Sequence, residues 1–113
     1  QDISEYFFED PKSYDEKASR KHWKDDTVNS LVRQYYKTLN TLDEWTEDGV
    51  EQALRNVAED EGISTGKLIH PVRLSLSGVP AGPSLFSMME LLGRETCLRR
   101  LGSALQRFPF QET

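Results

Sequence analysis

The side chains with the chemistry to bind an anion lie along one predicted helix, between residues 67 and 77. Basic and hydroxyl residues recur there at i, i+3, i+6 and i+10: Lys67, His70, Arg73 and Ser77. This spacing brings them to one face of a helix. Apolar residues line the opposite face and can be buried: Leu68, Ile69, Val72 and Leu76. A loop rich in glycine and proline follows at residues 78–83. A cationic face beside a stiff loop suits a phosphate backbone and unstacked bases.

Residues that could carry catalysis are sparse in this chain. Cys97 lies in a leucine-rich helical segment, where a cysteine usually acts as a small buried hydrophobe. His22 and His70 lack the spacing of metal ligands, and a single cysteine leaves no cysteine-based zinc site. The sequence contains no phosphate-binding P-loop and no nucleophile motif. We therefore predict no catalytic residue, no metal site and no cofactor within these residues.

The distribution of charge matters more here than its total. The net charge is −5, but residues 1–65 hold 8 basic and 16 acidic side chains, and residues 66–113 hold 6 and 3. A basic half joined to an acidic half can orient a polyanion on one side.

No stretch approaches the roughly 18 apolar residues of a membrane span, and a single cysteine fits a reducing compartment. We predict a cytoplasmic protein without a membrane contact; its first residue, Gln1, suggests a piece of a longer chain.

Apolar periodicity predicts an all-α fold, a compact bundle (α-helix cage) of about six short helices. The first is expected from an Asp10–Pro11 start to about Trp23, and the second from residues 25–27 to about Leu42. Thr46 and Gly62 bound the third, and Ser64 or Thr65 begins the fourth. Within the fourth, Pro71 either kinks the helix or marks its first turn. The fifth is expected to have Pro83 at its first position, and the sixth to span about 94–107, with Arg99 and Arg100 facing outward or sideways.

Three motifs occur in order along residues 66–105: PVRLSLSG at 71–78, PSL at 83–85 and LLGRE at 91–95. They match the patterns P-[LV]-R-x-[AS]-[LV]-[TS]-G, P-x-L and L-L-G-[KR]-E of the C-terminal anticodon-binding region of bacterial-type glutamyl-tRNA synthetases, which this chain closely resembles. The upstream segments FF-x-x-P-x-x-Y-D-x-K-A (7–18) and AL-R-x-x-A-E-x-x-G (53–62) also fit. The resemblance covers essentially the whole chain.

The resemblance implies an α-helical cage whose surface recognises anticodon bases. Arg73 matches an arginine that contacts a base, and the turn containing Gly82, Pro83 and Leu85 matches one that packs against the bases. Some family members carry a hydroxyl residue where this chain has Gly82, so we expect its backbone to take over part of that role. Arg55 matches an arginine of the preceding helix.

Three further expectations follow from the resemblance. Lys67 and His70 become general electrostatic support for tRNA, whose anticodon loop is the expected partner. The parent enzyme is expected to be a monomer that attaches glutamate to tRNA with ATP and Mg²⁺ in a catalytic domain outside this chain. Residues 1–24 are expected to end a preceding helical subdomain or connector, and residues 25–113 to form the C-terminal anticodon-binding domain.

The residues alone also permit simpler interpretations. Arg73 and Arg55 could be surface arginines that pair with acids. Gly82 and Pro83 could be loop residues only, and Leu85 could belong to the core. The alternative function is a helical protein-interaction module without an RNA role. A helix-turn-helix DNA-binding protein is disfavoured because no helix presents a dense basic face.

Overall fold

The computed structural model describes residues 11, 14–23, 26–78 and 84–107, and these form six α-helices. They are α1 (Glu16–His22), α2 (Asp26–Asn40), α3 (Glu47–Glu61), α4 (Gly66–Ser77), α5 (Leu85–Leu92) and α6 (Arg94–Arg107). The described residues include no strand, which confirms the predicted all-α bundle. Within these same ranges, no helix has the length and apolar character to cross a bilayer.

Local sequence signals place both ends of α3. The Thr46 side chain accepts a hydrogen bond from the Gly49 N–H at 3.0 Å and so caps the first turn. Gly62 ends the helix in the left-handed conformation (φ 67°), where glycine carries no Cβ penalty. Its N–H bonds to the carbonyls of Ala58 and Glu59. The predicted start and end of this helix are confirmed.

Helix α2 runs through the centre of the bundle and packs on α3, α4 and α6. Four residues of its apolar stripe are buried: Leu31, Val32, Tyr35 and Leu39. The Tyr35 hydroxyl donates to the Val50 carbonyl at 2.8 Å, so the one polar atom on this buried ring is satisfied. The residues of this stripe belong to one hydrophobic core to which all six helices contribute.

Helix α4 is surrounded by α1, α2, α3 and α6. Leu68, Val72 and Leu76 are buried as predicted, and Ile69 is half-buried. Pro71 lies inside the helix and is buried, so it does not mark the first turn. The helix is buried beyond its predicted apolar face, because three more residues point into the protein: Pro71, Leu74 and Ser75.

Three predicted details are wrong. Helix α1 begins at Glu16, where the Asp15 carboxylate accepts from the Ala18 N–H at 2.8 Å, and not near residue 11. Ser84 is the N-cap of α5, so Pro83 precedes that helix instead of taking its first position. Arg100 does not face outward, because only 1% of its surface is exposed. Each error arises where a neighbouring residue or a distant contact competed with the local pattern.

The predicted boundary near residue 24 is crossed by packing. Helix α1 packs on α4, and the indole of Trp23 is fully buried in the shared core. The Asp15 N–H also donates to the Gly78 carbonyl at 2.7 Å, which ties the start of α1 to the end of α4. Residues 14–23 are therefore integral to the packing of residues 26–78 and 84–107, and a division of function at residue 24 stays a prediction.

Candidate functional site

The basic face predicted for α4 exists in the structure. Lys67 and His70 are exposed, while Arg73 and Ser77 are half-buried toward the end of the helix. The Ser77 hydroxyl donates to the Arg73 carbonyl at 2.9 Å, a local bond that occupies this hydroxyl. Arg73 thus lies one turn before the residues that leave α4, with part of its side chain accessible to solvent.

The end of α4 is held by a side chain of α6 and by its own C-cap. The buried Arg100 of α6 donates from Nη1 to the Leu76 carbonyl at 2.9 Å. Gly78 ends the helix with φ 79°, and its N–H donates to the Leu74 carbonyl at 2.7 Å. A cation at a helix C-terminus satisfies a carbonyl that has no partner within the helix and also complements the helix dipole. Arg100 therefore positions the helix end that carries Arg73.

Of the three residues predicted to pack against anticodon bases, only one lies within the described part of the chain. Gly82 and Pro83 lie outside the described residues, so their expected roles stay predictions. Leu85 is described, and with 2% of its surface exposed it packs in the core. This burial leaves Leu85 little apolar surface to offer to a base. We assign it the anchoring of α5 in the core.

Arg55 lies exposed on α3, where it pairs with the preceding turn of its own helix. Its Nε and Nη2 atoms donate to Glu51 Oε2 at 2.9 and 2.7 Å. Exposed pairs at i and i+4 contribute only about 0.3–0.5 kcal/mol, so a phosphate group can compete for this guanidinium.

A cluster that sequence reasoning missed lies at the other end of α4. His22 and His70 stack with ring centroids 4.3 Å apart and an angle of 19° between the planes. Lys21 and Lys67 join them around a cleft of about 520 Å³. Burial, followed by the positive fields of His70 and Lys21, lowers the pKa of His22. No spacing in the sequence signals this cluster, because the two histidines meet only through the packing of α1 on α4.

Cys97 has the environment of a structural cysteine. It is fully buried, and its Sγ–H donates to the Met89 carbonyl at 3.6 Å. Burial raises the pKa of the thiol to about 12, although the nearby Arg100 acts in the opposite direction. A neutral thiol is a poor nucleophile and a poor metal ligand. Among the described residues, no group of three or more histidine, cysteine or acidic side chains could hold a metal ion.

The chain is thus an all-α domain with a half-buried arginine near the end of one helix and a cluster of basic side chains at the start of the same helix. Comparison with known families identifies its family. The model of the anticodon binding domain family matches residues 1–105, and this chain belongs to that family. The resemblance predicted from the sequence motifs is confirmed.

Relatives with curated names extend this result. The chain is 44% identical over 110 residues to a glutamate–tRNA ligase of Chloroherpeton thalassium, covering 97% of this chain and 22% of that protein. It is 48% identical over 103 residues to a glutamate–tRNA ligase of Moorella thermoacetica, covering 91% of this chain and 21% of that protein. The chain therefore spans about a fifth of the length of these relatives.

Solved structures show the same relationship. A glutamate tRNA ligase from Elizabethkingia meningosepticum, crystallised with its amino acid, superposes with a TM-score of 0.85 and 33% identity. That match covers 91% of this chain and 20% of the ligase chain. The glutamate-tRNA synthetase of Elizabethkingia anophelis gives a TM-score of 0.77 and 31% identity over 90% of this chain and 19% of its own.

Proposed function

We propose that this chain recognises the anticodon loop of tRNA as a domain of a glutamate–tRNA ligase. The observation that carries the proposal is the match of residues 1–105 to the anticodon binding domain family, within which Arg73 occupies a fixed helix end. Proteins read RNA sequence mostly from unstacked loop bases, which arginine planes and apolar faces can contact. The half-buried Arg73 supplies such a plane with a fork of donors.

The other site residues take supporting roles in this proposal. Pro83 gives a rigid apolar surface for a base, and the Gly82 backbone provides polar groups beside it. Leu85 anchors this turn from the core, where it is 2% exposed. Arg55 exchanges Glu51 for an RNA group, and the exposed Lys67 and His70 add positive potential.

The chemical step is proposed to belong to another part of the enzyme. A glutamate–tRNA ligase forms glutamyl-adenylate from glutamate and ATP, with Mg²⁺, and then transfers glutamate to tRNA. In our proposal the enzyme is a cytoplasmic monomer that contacts neither DNA nor membrane through this chain. This chain contributes the selection of tRNA and no reacting group. A net charge of −5 is compatible with this role, because other domains would hold most of the tRNA.

The test is Arg73→Ala in the full-length ligase that contains this chain. One arginine that contacts a base contributes about 1–3 kcal/mol, so kcat/KM for tRNA should fall about 5- to 150-fold. We expect the loss to appear as a raised KM for tRNA. The rate of glutamate activation, assayed with saturating tRNA, should be unchanged.

Arg33→Ala is the matched control, because it removes the same charge from an exposed position on α2. It should leave the KM for tRNA within about twofold of the wild type. If Arg73→Ala behaves like this control, Arg73 is not the anticodon contact and the helical protein-interaction alternative gains support.

A further inference from the structure

The cationic cleft, defined by Lys21, His22, Lys67 and His70, is formed by three helices. Lys21 and His22 come from the last turn of α1, and Lys67 and His70 come from the first turns of α4. The first turns of α2 close its third side. Its volume of about 520 Å³ lies in the range of small-ligand sites, which is roughly 300–1,000 Å³.

The charge of the cleft is of one sign among its described lining residues. Two lysines and two histidines face the space, and no acidic side chain is among the lining groups. The remaining lining residues are uncharged: Thr27, Val28, Leu31, Ile63, Ser64 and Gly66. The two lysines supply the positive charge of the cleft at neutral pH, and no described acid lines it, so an anion is attracted there. After burial, the positive fields of His70 and Lys21 also lower the pKa of His22.

We infer that the cleft binds a backbone phosphate of the RNA, in addition to the bases contacted near Arg73. This inference rests on the proposed function and adds Lys21 and His22 to the RNA-binding surface. Lys67 and Arg73 are six residues apart on α4, which corresponds to about 9 Å along the helix axis. One RNA chain can therefore reach both places.

The cleft and the region near Arg73 have different roles in RNA recognition. Contacts with phosphates position a nucleic acid without sensing its sequence, whereas contacts with bases select the sequence. The cleft should therefore contribute equally to binding of every anticodon, and Arg73 should contribute selectively. A phosphate beside His22 also favours its protonated form, so bound RNA should raise the pKa of His22 from its lowered value.

The test measures binding of anticodon stem-loop RNAs to the 113-residue chain across a series of salt concentrations. Lys21→Gln/Lys67→Gln removes two exposed charges of the cleft, and Lys37→Gln removes one exposed charge of α2 as the control. The slope of log K against log salt should decrease by about 0.7–0.9 for each phosphate that the double variant no longer neutralises. The fall in affinity should be the same for the glutamate anticodon and for a substituted anticodon.

A second readout separates RNA from a free anion. NMR signals of the His22 and His70 rings are followed while stem-loop RNA, or inorganic phosphate alone, is added. We expect saturable shifts with micromolar RNA, a raised pKa of His22 in the complex, and weak millimolar effects of phosphate. Equal affinity for phosphate and RNA would make this a free-anion site and overturn the inference.

These experiments distinguish failure of the cleft inference from failure of the proposed function. If the wild-type chain discriminates between anticodons but the double variant matches Lys37→Gln, the cleft inference is refuted and the proposed function stands. If the chain binds all stem-loops equally, with the cleft-dependent salt slope intact, anticodon recognition fails and the phosphate site stands. Absence of any RNA binding refutes both.

Discussion

Replacement of Arg100 by methionine removes a buried guanidinium while keeping a side chain of similar length. The Arg100 Nη1 atom donates to the Leu76 carbonyl at 2.9 Å, and the residue is 1% exposed. Leu76 belongs to the last turn of α4, where carbonyl oxygens lack partners inside the helix. All buried side-chain nitrogen and oxygen atoms in the described residues have hydrogen-bond partners. The substitution removes the hydrogen bond that Arg100 donates to the Leu76 carbonyl.

The expected change in stability can be assembled from these interactions. A hydrogen bond to a charged group contributes about 1.5–3 kcal/mol. Relief of the cost of burying the guanidinium offsets part of this contribution, so we expect Arg100→Met to lower the free energy of unfolding by about 1–2 kcal/mol. Arg100→Ala also removes the buried methylene stem, at about 0.8 kcal/mol for each CH₂, and should lower it by about 2 kcal/mol more.

The assay is equilibrium urea unfolding followed by tryptophan fluorescence, because Trp23 is fully buried and reports disruption of the core. Arg99→Met is the control: Arg99 is the neighbouring residue of α6 but is exposed. It should change the free energy of unfolding by less than about 0.5 kcal/mol. Equal stability of Arg100→Met and Arg99→Met would refute the claim that Arg100 holds the end of α4.

Two further predictions concern the histidine pair and a helix end. The pKa of His22 is lowered in the folded chain, so the unfolded chain takes up more protons as pH falls through about 6.5 and folding loses stability. Urea unfolding between pH 8 and pH 5 should therefore show a steeper decline for the wild type than for His22→Gln, and parallel declines would contradict this. Gly62→Ala places an alanine at φ 67° and should cost about 1–2 kcal/mol, whereas Gly66→Ala, with open space at its Cβ, should be neutral or stabilising. Thermal unfolding by circular dichroism compares the two, and equal changes in Tm would show that backbone conformation is not the cause.

The sequence predicts best where the signal and the structure lie within a few residues of each other. Thr46 and Gly62 bound α3 through hydrogen bonds to their own helix. The apolar spacing of α2 needs no knowledge of the partners against which it packs. The basic face of α4 was predictable for the same reason, because helix geometry alone places Lys67, His70 and Arg73 together.

The sequence fails where a residue's role is decided by a distant contact. The helical periodicity of α6 assigned Arg100 to its outward or sideways face. Its hydrogen-bond acceptor is instead the carbonyl of Leu76, 24 residues earlier in the sequence. His22 and His70 become one feature only because α1 packs on α4. Leu85 belongs to a motif associated with a binding turn, yet the packing of α5 buries it. Periodicity assigns a residue to a helix face, but it does not tell which neighbour that face meets.

The most direct test of the central claim is the affinity of the 113-residue chain for two stem-loops that differ only in the anticodon. One carries the glutamate anticodon, and the other carries a single substituted anticodon base, with each of the three positions substituted in turn. Our account predicts tighter binding of the first by about 5- to 150-fold, with the difference abolished by Arg73→Ala. Equal affinity of the wild-type chain for both RNAs would contradict anticodon recognition by this domain.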